Sequence, residues 1–257
     1  MRALILAAGV GRRLSLASDG QRPKALLEFA GKSLLRRHLD ILESCGVRDV
    51  TLVVGHQESE IRAELDRLGV AGSVSCTANP RYREGSMVSL ATGAAVLKGD
   101  APVLLMDADV LYDERLMRRL VATRLENAFL LDRGIEPGDE PVKLCIQGGA
   151  IVDFHKRPRV AHEWHGESVG FFRFSPAVAA ELAGRAEAYA AGEGAALEYE
   201  EAIRDMVLAD GARFGFEEVS DLPWLEIDFA ADVRRARDEV LPLLADQAAE
   251  ADRVAAG

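Results

Sequence analysis

The segment LILAAGVGRRL, Leu4 to Leu14, is an apolar run that breaks abruptly into two glycines and two arginines. Its apolar part, ALILAA from Ala3 to Ala8, is short and has no polar alternation, the pattern of a strand buried on both faces. Such strands belong to parallel sheets covered by helices. A glycine-rich turn leaving one brings backbone amides within reach of phosphate oxygens, and the adjacent cations carry the matching charge. RPKALLEFAGKSLL, Arg22 to Leu35, then adds a lysine at position 24.

Outward from this segment, strands and helices alternate. SLLRRHLDILESCG is an amphipathic helix with Leu34, Leu35, His38, Leu39, Ile41 and Leu42 on one face and Gly46 as its stop. DVTLVVG and GSVSCTA are strands, and ESEIRAELDRLG is the helix between them. SMVSLATGAAVL opens a helix after the break NPRYREG. APVLLMDADV is a strand with an acidic end, followed by the helix DERLMRRLVATR. This rhythm predicts a mainly parallel, doubly wound sheet, in which ligands bind beyond the carboxyl ends of the strands. The glycine turn and the DAD triplet both sit at such ends.

Past about residue 125 the rhythm changes. VKLCIQ, AIVDFH and ESVGFFRF are expected as neighbouring strands, some antiparallel. PAVAAELAGRAEAYA and LEYEEAIRDMVLADG are helices, FGFEEV and WLEIDF short strands, and the segment from Ala230 a closing helix. A net charge of −11 argues against a nonspecific hold on nucleic acid or anionic membranes. No apolar run approaches the roughly 20 residues of a membrane helix, and the start Met1-Arg2 leads into a strand, so a cytoplasmic location is expected. Cys45, Cys76 and Cys145 are scattered and form no CxxC pair, consistent with reduced thiols that pack.

Four accounts of the opening turn compete. The dinucleotide pattern GxGxxG fails because Leu14 stands at its third glycine. The phosphate-loop pattern ending in Gly31-Lys32-Ser33 fails because Leu26 stands where its first glycine belongs. A surface turn with solvated cations remains as the plain alternative to a triphosphate cradle.

LAAGVGRRL with RPKALLEFAGKSLL resembles the nucleotidyltransferases that activate phosphorylated sugars and alcohols, whose pattern runs LAAGxGxRL, PKxL, GKxLL. The resemblance extends along nearly the whole chain. It implies a Rossmann-like doubly wound mixed sheet of the nucleotidyltransferase type with a small acceptor-binding β-rich region. The expected organisation is one domain over residues 1–245, with a nucleotide-binding half to about 125, an acceptor-binding half beyond it, and a frayed helical tail over 246–257.

By the same resemblance, Arg13 and Lys24 hold the triphosphate and stabilise charge at the α-phosphorus. Leu6, Ala7, Ala8, Gly9 and Gly11 line the nucleotide, with Arg12 as an extra cation. Gly85, Ser86 and Ser89 stand where relatives contact the base. Asp109 matches the metal aspartate at the acidic strand end, with Asp107 its neighbour. WLEIDFAADVRRA matches a second family segment in which Asp228 binds metal and Asp232 starts a helix. The resemblance thus implies Mg²⁺. The plain alternatives are a turn residue for Asp109 and a helix cap for Asp228.

Lys143 matches a family lysine beside the acceptor phosphate; an edge-guarding charge is its alternative. Glu167, Glu200 and Glu201 are expected to receive an ammonium or hydroxyl groups, with Tyr199 and Trp224 flanking a cation. A solvated helix face for Glu201 and a core aromatic for Trp224 are the alternatives. His38 is expected in the core or an interface, HEWH (His162–His165) in a solvated loop, and Cys145 is a poor nucleophile on a buried strand.

WLEIDFAADVRRA, GESVGFFRFSP and YEEAIRDMV are most similar to the small cytidylyltransferases acting on phosphocholine, 2-aminoethylphosphonate or inositol phosphate. EGSMVSL departs from them, because those acting on choline and aminoethylphosphonate carry asparagines there. The implied partners are a nucleoside triphosphate, CTP favoured, a small phosphorylated or phosphonate acceptor, and a homodimer mate. A sugar-1-phosphate enzyme using UTP, dTTP or GTP, or a catalytically silent nucleotide sensor, are the other readings.

Overall fold

The computed structural model describes residues 1–15, 22–135 and 139–244. The expected tail over 246–257 and the side chain of Arg12 lie outside what it describes. Its centre is a nine-stranded mixed sheet. Arg2–Ala7 lies between Val103–Asp107 on one side and Asp49–Val54 on the other, both parallel to it, and Val74–Ala78 follows Asp49–Val54, again parallel. Ala3 and Ile5 feed the core on one face of the sheet while Leu4 feeds the core on the other. The double burial explains why this strand has no polar residue after Arg2.

The chain leaves Arg2–Ala7 for one neighbour and later returns to the opposite one, so the strand order reverses at this point. A crevice opens between the carboxyl ends of Arg2–Ala7 and Val103–Asp107, where such sheets bind ligands. The glycine turn and the DAD triplet face each other across it.

The second half joins the same sheet. Trp164–Phe174 runs antiparallel to Val103–Asp107, Lys143–Gln147 and Ala128–Asp132. Ala150–His155 pairs antiparallel with Lys143–Gln147, so the three expected neighbouring strands are found together. Ala128–Asp132 was not anticipated from the sequence; its FLLD run has no turn signal to set it off from the preceding helix. Gly215–Glu218 pairs with it in parallel. HEWH is only partly a loop, since Trp164 and His165 already belong to the long strand and His162 Nε2 lies 2.8 Å from His165 Nδ1.

A small antiparallel ribbon, Val110–Tyr112 with Trp224–Glu226, stands apart from the main sheet. A third core of Phe29, Leu34, Leu111, Leu225, Ile227, Ala236 and Val240 seats it. The Ile227 amide donates to the Asp109 carbonyl at 2.9 Å, extending the pairing by one step. This ribbon carries Asp228 to Asp109. The closing helix begins at Ala230 as expected, with the amides of Asp228 and Phe229 donating to the Asp232 carboxylate at 3.0 and 2.7 Å. Among the described residues, no helix is long and apolar enough to cross a membrane.

Candidate active site

The crevice opens into a cavity of about 480 Å³ whose floor is the glycine turn and the acidic strand end. Leu6, Ala7, Ala8, Gly9, Gly11, Arg13, Lys24, Gly85, Ser86, Ser89, Asp107, Asp109, Tyr199, Glu200 and Asp228 all line it. Gly11 has φ +62°, a conformation open to glycine at little cost, and lies against the Lys24 stem.

The opposite wall joins the two halves. A Cβ on Gly85 would meet the Ala195 carbonyl at 2.5 Å, so only glycine lets these backbones approach. The Ser86 hydroxyl accepts from the Tyr199 amide at 2.9 Å, and the Ser89 hydroxyl accepts from Asn79 at 3.0 Å. Both serines are thus fixed by the protein, each hydroxyl keeping its own proton to donate.

Asp109, Glu226 and Asp228 each offer one carboxylate oxygen within 4.8 Å of the others. Into this group reaches Lys24, whose ammonium donates to Asp109 at 2.8 Å and to Asp228 at 2.7 Å. Arg13 donates to Asp228 at 3.1 Å and pairs with Glu140 at 2.9 Å. Burial disfavours a charged Lys24, but Asp109 and Asp228 outweigh it and hold the ammonium protonated well above its ordinary range. Desolvation works against Asp228 as well, yet Lys24 and Arg13 keep its carboxyl below the ordinary value. Glu226 has less cationic company: desolvation, then the charges of Asp109, Asp228 and Asp107, push it well up. Asp107 is raised by burial and by Asp109, although the Tyr199 hydroxyl donates to it at 2.7 Å.

An all-oxygen set of three carboxylates, already drawing a cationic side chain into its midst, fits a hard divalent cation such as Mg²⁺. Glu226 escaped the sequence reading. The alternation Trp224–Glu226–Asp228 along a strand was the available signal, since it puts those side chains on one face.

A second cavity of about 270 Å³ adjoins the first across Glu226 and Asp228. Glu167 and Trp224 line it with Asp132, Phe229 and Asp232, and the Trp224 indole donates to Asp132 at 2.8 Å. Lys143 and Glu201 line neither cavity. The Lys143 ammonium turns to the Lys156 carbonyl at 3.0 Å, and Glu201 lies 2.8 Å from His155. Lys156 takes the cavity position instead, paired with Glu140 at 3.2 Å and Glu198 at 2.8 Å. Nothing in FHKRPR distinguishes Lys156 from its basic neighbours; the packing of its strand does.

Residues 3–146 match the family model of the MobA-like NTP transferase domain. The chain belongs to this family. Among relatives of this NTP transferase, the CMP-5'-(3-aminopropyl)phosphonate synthase of Streptomyces rubellomurinus is 31% identical over 251 residues, covering 92% of this chain and 38% of that protein. The CTP:phosphoglutamine cytidylyltransferase of Campylobacter jejuni is 23% identical, covering 68% of this chain and 73% of that one. The chain therefore spans well under half the length of the first relative. The inositol-1-phosphate CTP transferase of T. maritima shares the fold with a TM-score of 0.76 at 19% identity, covering 95% of this chain and 94% of that one. These likenesses bear out the nucleotidyltransferase fold expected from the opening motif.

Proposed function

We propose that this NTP transferase moves a nucleotidyl group, CMP from CTP, onto a small alcohol phosphate or phosphonate. An acceptor oxygen bonds to the α-phosphorus, the bond from that phosphorus to the bridging oxygen of the β-phosphate breaks, and pyrophosphate leaves with the electron pair. The observation that carries this reading is the placement of Lys24 and Arg13 on carboxylates at the seam of two cavities. A nucleoside triphosphate fits the larger cavity, over the glycine turn, and the acceptor fits the smaller one.

Arg13 and Lys24 hold the triphosphate and balance charge that develops on it. Asp109, Glu226 and Asp228 would hold Mg²⁺, which would supply positive charge to offset that of the triphosphate. Lys156, rather than Lys143, lines the larger cavity and adds a cation on the nucleotide's side. Glu167 and Trp224, with Asp132, face the rest of the acceptor. An acceptor phosphate is already ionised at neutral pH, so positioning and charge stabilisation suffice without a strong general base. The choice of CTP is supported by the cytidine nucleotide in the names of all three proteins described above. Both cavities are built from residues of a single chain, and a cytoplasmic setting, where nucleoside triphosphates are plentiful, goes with this reading.

The test is pyrophosphate release with Mg²⁺, crossing the four nucleoside triphosphates with phosphocholine, phosphoethanolamine, 2-aminoethylphosphonate, inositol 1-phosphate and sugar 1-phosphates. Release with CTP and an alcohol phosphate or phosphonate is expected. Release only with a sugar 1-phosphate transfers the assignment to that class, and nucleotide binding without any release makes the protein a sensor.

A further inference from the structure

His38 lies on the helix Leu34–Ser44, wholly buried beneath the acidic strand end. Its ring packs against Tyr112 at 5.3 Å and Phe171 at 6.0 Å. Leu34, Leu35, Leu39 and Leu42 share its buried face, and a leucine at 38 would fit that company without polar cost. The imidazole instead leaves Nδ1 buried without a partner among the described residues, an arrangement that ordinarily costs stability. Nε2 lies 3.2 Å from the carbonyl oxygen of Ala108.

A carbonyl only accepts, so Nε2 carries the proton. Desolvation pulls the ring's pKa down to about 4, so at working pH the ring is neutral. Ala108 is the residue between Asp107 and Asp109. Both aspartates line the cavity, while Ala108 between them belongs to the buried core that also holds Leu35, Leu39 and Leu42 of the helix behind. On the cavity side Asp107 is held by Tyr199 and Asp109 by Lys24. On the far side the Asp109 carbonyl is held by Ile227, and the Ala108 carbonyl by His38.

We propose that His38 is a positioning residue for the metal carboxylates, fixing from behind the peptide that aims Asp109 toward Glu226 and Asp228. The inference rests on Asp109 as a metal ligand. Groups that orient ligands in this way ordinarily change metal affinity by about 10–100-fold when removed.

The test is Mn²⁺ binding to the nucleotide-free full chain, with CTP binding measured separately without metal. His38→Gln keeps an N–H at the reach of Nε2. His38→Asn keeps the amide but is one bond too short, and His38→Leu removes the donor. The Leu and Asn variants are expected to bind Mn²⁺ about tenfold more weakly or worse and the Gln variant within about threefold of wild type. Metal-free CTP affinity stays the same in all three, and in turnover the Mg²⁺ activation constant rises more than the CTP KM.

Wild-type Mn²⁺ affinity in the Leu or Asn variant overturns the inference, as does a Gln variant as weak as Leu. Should His38→Leu not fold, the Gln and Asn pair decides alone. Wild-type protein that binds no Mn²⁺ removes the metal assignment itself, a failure distinct from loss of the His38 role.

Discussion

Lys24 and Asp228, 204 positions apart, meet at 2.7 Å, and the same ammonium reaches Asp109 at 2.8 Å. On the proposed function, the carboxylates that take the metal are thus bridged by the side chain that takes the triphosphate, and binding of both would pass Lys24 from carboxylate to phosphate.

Lys24→Ala should therefore change two measurements. Pyrophosphate release should fall by about 10²–10³, the loss typical of a removed transition-state donor. The variant, having lost the built-in cation, should also gain more in Tm from added Mg²⁺ than wild type does, because a ligand stabilises the state that binds it. Near-normal turnover with an unchanged Mg²⁺ response would sink the assignment of this lysine.

Gly170 has φ +78°, and a Cβ there would collide with Asp107 Oδ2. Gly170→Ala is expected to cost about 1–2 kcal/mol from backbone strain alone. It should also push Asp107 away from the Tyr199 hydroxyl and depress turnover. Thermal melts and pyrophosphate release on the same preparation check both, and a variant with wild-type values in each refutes the contact.

Glu200 governs a pH dependence. Burial first, then the charge of Glu198, raises its carboxyl from 4.5 to about 7. Between these values the unfolded chain has released the proton while the folded chain still holds it, so stability falls as pH rises through that window and levels off above it. Glu200→Gln is neutral throughout. Its Tm relative to wild type should climb from pH 5 to pH 8; parallel curves would exclude a raised Glu200.

Asp153 is fully buried and accepts from the Arg204 guanidinium at 2.8 Å, with the amides of Arg159 and Val160 adding to it. Burial opposes the charge, but these donors hold the carboxyl below its ordinary range. Arg204→Met leaves a buried carboxylate without its cation and should destabilise by about 3–5 kcal/mol. Specific activity per folded molecule should survive, since neither residue lines a cavity. Denaturant melts alongside turnover check this.

Legibility varied with the range of the interactions involved. The strand Arg2–Ala7 and the helix Leu34–Ser44 were readable because burial on two faces or one writes a periodicity into consecutive residues. Ala128–Asp132 was not, since four apolar residues and an aspartate shortly after a helix carry no period of their own. Lys143 and Lys156 show the same limit at the site. Both are cations beside apolar strands, and the pairing of Ala150–His155 with Lys143–Gln147 determines which of them reaches the cavity. Glu226 was within reach of sequence reasoning through strand alternation, whereas the Lys156 position was not.

By itself the sequence determined the α/β class, the glycine turn at the end of a buried strand, and the cations and carboxylates available to a phosphate chemistry. Each follows from local composition and spacing, which act over a few residues. Tertiary structure alone decided which of those charges meet. The ribbon Trp224–Glu226, seated by its own apolar core, brings Asp228 to Asp109, and the Ala108 carbonyl finds His38 through the packing of a helix 70 residues earlier. Contacts of that separation are set by how the faces of sheet and helix bury one another, and no local pattern encodes them.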